Sequence, residues 1–113
     1  MAKQILVIED DRILNRLLLD QLCGFGHEAH GEHDWKSAKA YLQQNDPDLI
    51  LLDGRLPDSS GYDLIPRLAS RYPVVMLTAY GSVSQAVQAM RDGASDFMVK
   101  PVSSDELGLV IER

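Results

Sequence analysis

A single cysteine, Cys23, in a chain of 113 residues rules out an internal disulfide and fits a reducing compartment. Basic residues are also scarce. Lys and Arg number 11 against 17 Asp and Glu, a formal net charge of −6, and no basic stripe is available to neutralise a nucleic-acid backbone. Direct nucleic-acid binding is therefore not expected. No apolar run approaches the roughly 20 residues a membrane helix needs, and Met1-Ala2-Lys3-Gln4 leads straight into a short apolar segment rather than a signal sequence. Neither export nor membrane insertion is expected, and a cytoplasmic location follows. Internal repeats, low-complexity linkers, a P-loop and a dinucleotide fingerprint are all missing. What remains, at 45% hydrophobic and 25% charged, is the composition of a globular protein of one domain spanning residues 1–113.

Four short apolar runs lack polar alternation: Ile5-Leu6-Val7-Ile8, Leu49-Ile50-Leu51-Leu52, Val74-Val75-Met76-Leu77 and Phe97-Met98-Val99. Such runs read as strands buried on both faces. His27-Glu28-Ala29-His30 mixes in polar residues and is expected at a sheet edge. Between these lie helical spacings: Leu14, Leu17, Leu18, Gln21, Leu22; Trp35, Ala38, Tyr41, Leu42; and Val83, Ala86, Val87, Met90. Ser82 with Gln85 and Ser103 with Glu106 have capping-box spacing, and Gly24 and Gly93 suit helix ends. A helix from Ser60, with Asp63 as a partial box, meets Pro66 inside it, which predicts a kink or irregularity. The stretch from Ser103 carries Leu107, Val110 and Ile111 on one face and has no Gly or Pro terminator, so the natural chain is expected to continue past Arg113. Strand and helix alternate about five times, which argues for an open parallel sheet with helices on both faces.

The chemistry follows the runs. The first ends in Glu9-Asp10-Asp11, the next in Asp53, then Thr78, then Lys100-Pro101. In open α/β sheets ligands bind beyond the carboxyl ends of the strands. Neighbouring strands lie about 4.8 Å apart, so Asp10 and Asp53 converge if their strands pair. Carboxylates so close repel, and a shared proton, a cation or both must offset this. Oxygen-only ligands in a small open site favour Mg²⁺ over Ca²⁺ and carry no zinc signature. Asp11 reads as a helix cap.

Together, Ile8-Glu9-Asp10-Asp11, Asp48 to Asp53 followed by Leu56-Pro57 and Gly61, Leu77-Thr78-Ala79, and Gly93 to Phe97 with Lys100-Pro101 resemble the receiver domain of bacterial two-component response regulators. The resemblance covers essentially the whole chain. It implies a flavodoxin-like α/β fold, a five-stranded parallel sheet in the order 2-1-3-4-5. Asp53 would be the phosphoacceptor, loaded from a phosphohistidine on a partner sensor histidine kinase. Mg²⁺ would be held by Asp10, Asp53 and the backbone carbonyl of Arg55, with Glu9 acting through water. Lys100 and Thr78 would meet the phosphoryl group, Lys100 also meeting Asp53 at rest, and the Lys100-Pro101 bond would be cis. Thr78 and Phe97 would form the switch, although Phe97 lacks the hydroxyl of a tyrosine. The segment from Thr78 to Met90, with Leu109 to Arg113, resembles regulators of sigma-54-dependent promoters. These carry a AAA+ ATPase and a DNA-binding domain C-terminal to the receiver. A homodimer and a transcriptional output are compatible with this, and the face of the fourth helix, fifth strand and fifth helix would be the output surface.

The competing readings are weaker. A haloacid dehalogenase-like phosphohydrolase also uses a strand-end Asp and Mg²⁺, but Asp10-Asp11-Arg12-Ile13 supplies no second Asp at the required offset. A flavin binder would need a Thr/Ser/Gly-rich phosphate loop after the first strand. The chain is expected to switch rather than turn over an external substrate. His27, His30 and His33 recur at spacing three without a Cys, and a metal role for them is disfavoured. Trp35 and Tyr41 read as packing residues, Cys23 as a core or boundary residue, Gly61 and Gly93 as backbone requirements, and Tyr80 as a partner-contact candidate.

Overall fold

The computed structural model describes residues 2–79 and 82–112. Five strands, β1 (Gln4–Ile8), β2 (Glu28–Glu32), β3 (Leu49–Asp53), β4 (Val74–Thr78) and β5 (Asp96–Val99), alternate with five helices. These are α1 (Arg12–Gly24), α2 (Trp35–Leu42), α3 (Gly61–Ala69), α4 (Val83–Arg91) and α5 (Ser104–Glu112). All strand pairings are parallel, and the order is β2-β1-β3-β4-β5, as the sequence implied. The polar strand β2 sits at the edge, where an unbroken apolar run is not needed.

Because successive strand residues point to opposite faces, the apolar runs feed two cores. Ile5, Val7, Leu49, Leu51, Val75, Leu77 and Met98 pack with Leu18 and Leu22 of α1 and Leu107, Val110 and Ile111 of α5. Leu6, Ile8, Ile50, Leu52, Val74 and Met76 pack with Ala38 of α2, Leu64, Ile65 and Leu68 of α3, and Ala89 of α4. Trp35 and Tyr41 border this second core as expected, and His30 stacks on Tyr41 at 4.1 Å between ring centroids.

Helix boundaries follow local chemistry. Asp11 Oδ1 accepts from the amides of Ile13 and Leu14, Ser82 Oγ from Gln85 and Ser103 Oγ from Glu106. After α4, Gly93 adopts φ 113°, with the Ala94 amide donating to the Ala89 carbonyl and that of Gly93 to Met90, a left-handed stop only glycine adopts easily. At the end of α1 the same role falls to Gly26 (φ 92°), whereas Gly24 remains helical. Gly24 is the last residue of α1, as expected, and the left-handed turn follows two residues later.

Further expectations meet the structure. Ser60 begins α3 without a side-chain cap, because the Asp63 amide bonds its backbone carbonyl instead. Helix α3 continues through Pro66, which is exposed, so the proline does not end the helix. Cys23 is exposed rather than packed. The apolar stripe of α4 also lies outward: Val83, Val87 and Met90 are exposed and Ala89 is the buried residue. Likewise Leu17 of α1 is exposed while Asn15 is buried. Among the described residues no helix is long and apolar enough to cross a membrane.

Candidate functional site

Strands β1, β3 and β4 end at the same rim of the sheet. There Glu9, Asp10, Asp53, Arg55, Thr78 and Lys100, with Asp11, Tyr62, Ala79 and Gln85, line a cleft of about 220 Å³. Each of Glu9, Asp10 and Asp53 presents a carboxylate oxygen within 4.8 Å of the other two. The pairing of β1 with β3 thus joins what 42 intervening positions separate in sequence.

Asp53 is the last residue of β3 and is 5% exposed. The Arg55 amide donates to its Oδ1 at 3.2 Å, and Gly61 lies so close that a Cβ there would sit 1.9 Å from the Asp53 carbonyl oxygen. The requirement for glycine at 61 is therefore steric. Glu9 is fully buried; its Oε2 accepts from the Asp11 amide at 3.1 Å and its Oε1 forms an ion pair with Lys100. Lys100 Nζ also lies 3.4 Å from Asp53 Oδ1, and the Lys100-Pro101 bond is cis. The Lys100 amide donates to the Thr78 carbonyl at 2.7 Å, fixing β5 against β4. Thr78 is buried at the end of β4, and Phe97, half-buried on β5 opposite Met76, packs against the core beneath the rim.

Three acids with one ammonium cannot all ionise freely. Burial, with the neighbouring Asp53 carboxyl, pushes Glu9 from its ordinary 4.5 up to about 8. Burial works against ionising Asp10 too, yet its hydrogen bonds with Asp53 and Glu9 outweigh this and hold its carboxyl low. For Lys100, burial is likewise outweighed by the two carboxylates, so its pKa is raised and it stays charged. The metal-free cluster therefore takes up a proton at Glu9 far more readily than an isolated carboxyl would. A divalent ion is the natural replacement for that proton. The donor set is oxygen-only, compact and open to solvent through Asp10, which fits Mg²⁺.

Of the site residues expected from the sequence, Glu9, Asp10, Asp53, Arg55, Thr78 and Lys100 line this cleft, and Phe97 lies outside its lining, against the core. Three contributors escaped that reading. Asn15 of α1, buried, donates through Nδ2 to the carbonyls of Glu9 and Glu32 and so anchors the acidic loop. Tyr62 and Gln85 reach the cleft from α3 and α4. Only Asn15 carried a signal, a polar residue within an otherwise apolar stripe. The histidines do not gather: His27 Nδ1 accepts from the Lys3 amide, and His30 pairs with Glu32. The partner-contact candidate Tyr80 lies outside the described residues.

Residues 5–112 match the response regulator receiver domain family. The chain belongs to that family. It is 38% identical over 116 residues to the response regulator protein FleR of Pseudomonas aeruginosa, covering all of this chain and 24% of that protein. It is 34% identical over 113 residues to the regulatory protein AtoC of Escherichia coli, covering 97% and 24%. The crystal structure of NtrX from Brucella abortus superposes with a TM-score of 0.92 at 36% identity, covering all of this receiver and 27% of the NtrX chain. This receiver thus spans about a quarter of the length of these relatives. As a receiver, it is a phosphorylation-dependent signalling module.

Proposed function

We propose that Asp53 accepts a phosphoryl group from a phosphohistidine of a sensor histidine kinase. The observation that carries this reading is the placement of Asp53 at a strand end with two further carboxylates within 4.8 Å and the Lys100 ammonium at 3.4 Å. A carboxylate oxygen of Asp53 bonds to phosphorus as the P–N bond breaks, and the imidazole leaves with the electron pair and takes a proton from solvent. Asp10, Asp53 and the carbonyl of Arg55 would hold Mg²⁺, with Glu9 acting through water. When bound, Mg²⁺ supplies positive charge against the developing phosphoryl oxygens. Lys100, already beside Asp53, balances charge on the phosphoryl oxygens, and Thr78 donates its hydroxyl to the phosphoryl group.

Phosphorylation replaces one negative charge with nearly two and adds strong acceptors. Thr78 is then drawn inward, leaving room for Phe97 to turn in, and β4, α4 and β5 respond together. Exposed Val87 and Met90 of α4 and Val99 of β5 support this side as the output surface, because large apolar patches need a partner. We further propose that the receiver is the regulatory part of a longer, cytoplasmic transcriptional regulator. In this reading a AAA+ ATPase and a DNA-binding domain lie C-terminal to it, act at sigma-54-dependent promoters, and contact DNA in its place. The fourfold greater length of FleR and AtoC and the motif from Thr78 to Met90 support this, and a homodimer is compatible with it.

Incubation with acetyl phosphate and Mg²⁺, followed by intact-mass measurement, is expected to show one added phosphoryl group on the wild type and none on Asp53→Asn. Stoichiometric labelling of Asp53→Asn would overturn the assignment.

A further inference from the structure

Tyr62 lines the cleft, and phosphotransfer as proposed assigns it no work. It stands in the first turn of α3 and lines both the phosphoacceptor cleft and an adjoining one bounded by Gly54, Arg55, Leu56, Ser59, Ser60 and Gln85. Its ring lies against the backbone immediately after Asp53: a Cβ at Gly54 would sit 2.7 Å from Tyr62 Cε2 and 3.2 Å from its hydroxyl oxygen. Glycine at 54 permits that approach without displacing the ring. The hydroxyl is shut off from solvent and has no hydrogen-bond partner among the described residues.

A buried hydroxyl without a partner is costly, and phenylalanine would fill the same space without that cost. The arrangement makes sense if the partner arrives later. The group proposed to enter this cleft is a phosphoryl group on Asp53, which brings three acceptor oxygens into the space that Tyr62 helps to line. We infer that the Tyr62 hydroxyl is a phosphoryl-binding donor, held in reserve at rest and satisfied, directly or through one water, once Asp53 is modified. This rests on the proposed role of Asp53. Tyr62 is then a third phosphoryl contact beside Thr78 and Lys100, approaching from α3 rather than from β4 or β5, and it couples α3 to the phosphorylated state.

Beryllium trifluoride, which adds to a carboxylate as a phosphoryl mimic, tests this at saturating Mg²⁺. Tyr62→Phe keeps the ring over Gly54 and removes only the donor. It is expected to weaken trifluoride affinity about five- to tenfold and to shift one bound ¹⁹F resonance, while Mg²⁺ affinity without fluoride stays at the wild-type value. Equal trifluoride affinity in wild type and variant would overturn the inference with the Asp53 reading intact. A parallel fall in Mg²⁺ affinity would also overturn it, by showing that Tyr62 merely shapes the site. No trifluoride binding by the wild type would sink the Asp53 reading itself, and this inference with it.

Discussion

Glu9 and Lys100 show how much a single contact changes a residue-level expectation. In the proposed site neither Lys100 nor Thr78 is a metal ligand, so by residue type alone replacing either should leave Mg²⁺ affinity intact. The ion pairs of Lys100 with Glu9 and Asp53 alter this for Lys100, because its ammonium occupies the oxygens that would face the ion. Lys100→Met is expected to bind Mg²⁺ more tightly than wild type, and Thr78→Ala equally; weaker binding by Lys100→Met in a calorimetric titration would contradict the competition. The proton on Glu9 competes as well. With its folded pKa near 8, Mg²⁺ affinity should rise as pH increases from 6 to about 8 and then level off. The sign for stability is opposite in the metal-free domain. Unfolding returns Glu9 to about 4.5, so between that value and about 8 the folded state binds the extra proton, and stability falls as pH rises through this window. Urea titrations at pH 6 and 8, with and without Mg²⁺, check this: the metal-free midpoint should drop at the higher pH and saturating Mg²⁺ should reverse the drop.

At the scale of elements, the apolar runs announced four strands because a parallel strand buried on both faces tolerates no polar residue. The edge strand β2 was legible through the opposite signature, since one of its flanks meets no neighbour. Helix direction was less legible. Periodicity reveals that Val83, Val87 and Met90 share a face of α4 but not which way the face points, and here small Ala89 makes the inward contact. The site was legible where it depends on strand ends, as with Asp10, Asp53, Thr78 and Lys100. It was illegible where it depends on the approach of a helix, as with Tyr62 and Gln85, because no local pattern encodes how closely α3 and α4 crowd the rim. Gly61 marks that approach. A Cβ 1.9 Å from the Asp53 carbonyl can be relieved only by moving α3 away or displacing the end of β3. Gly61→Ala should therefore cost at least about 1–3 kcal/mol and slow phosphorylation of the molecules that remain folded. Wild-type stability and labelling rate in this variant would mean that α3 moves freely.

On the scale of the whole molecule, the sheet is a partition. Leu18 of α1 and Ile65 of α3 are both buried, but they belong to separate cores on opposite faces, joined only through backbone. Truncating either to alanine leaves a cavity worth about 2–5 kcal/mol, a large share of the about 5–15 kcal/mol that holds a typical domain together. If the sheet isolates the two cores, the losses add to within about 0.5 kcal/mol in Leu18→Ala/Ile65→Ala. A coupling energy well above that in denaturant titrations would show that packing strain crosses the sheet. The outcome bears on signalling, because the rim residues belong to strands wetted by both cores: Asp53 follows Leu51, which faces α1 and α5, and Leu52, which faces α2 and α3. An insulating sheet confines the effect of phosphorylation to β4, α4 and β5, whereas a transmitting one would carry it to α1 and β2 at the far edge. Additivity in the double variant is the expected result, since the proposed switch needs only the few elements around Thr78 and Phe97.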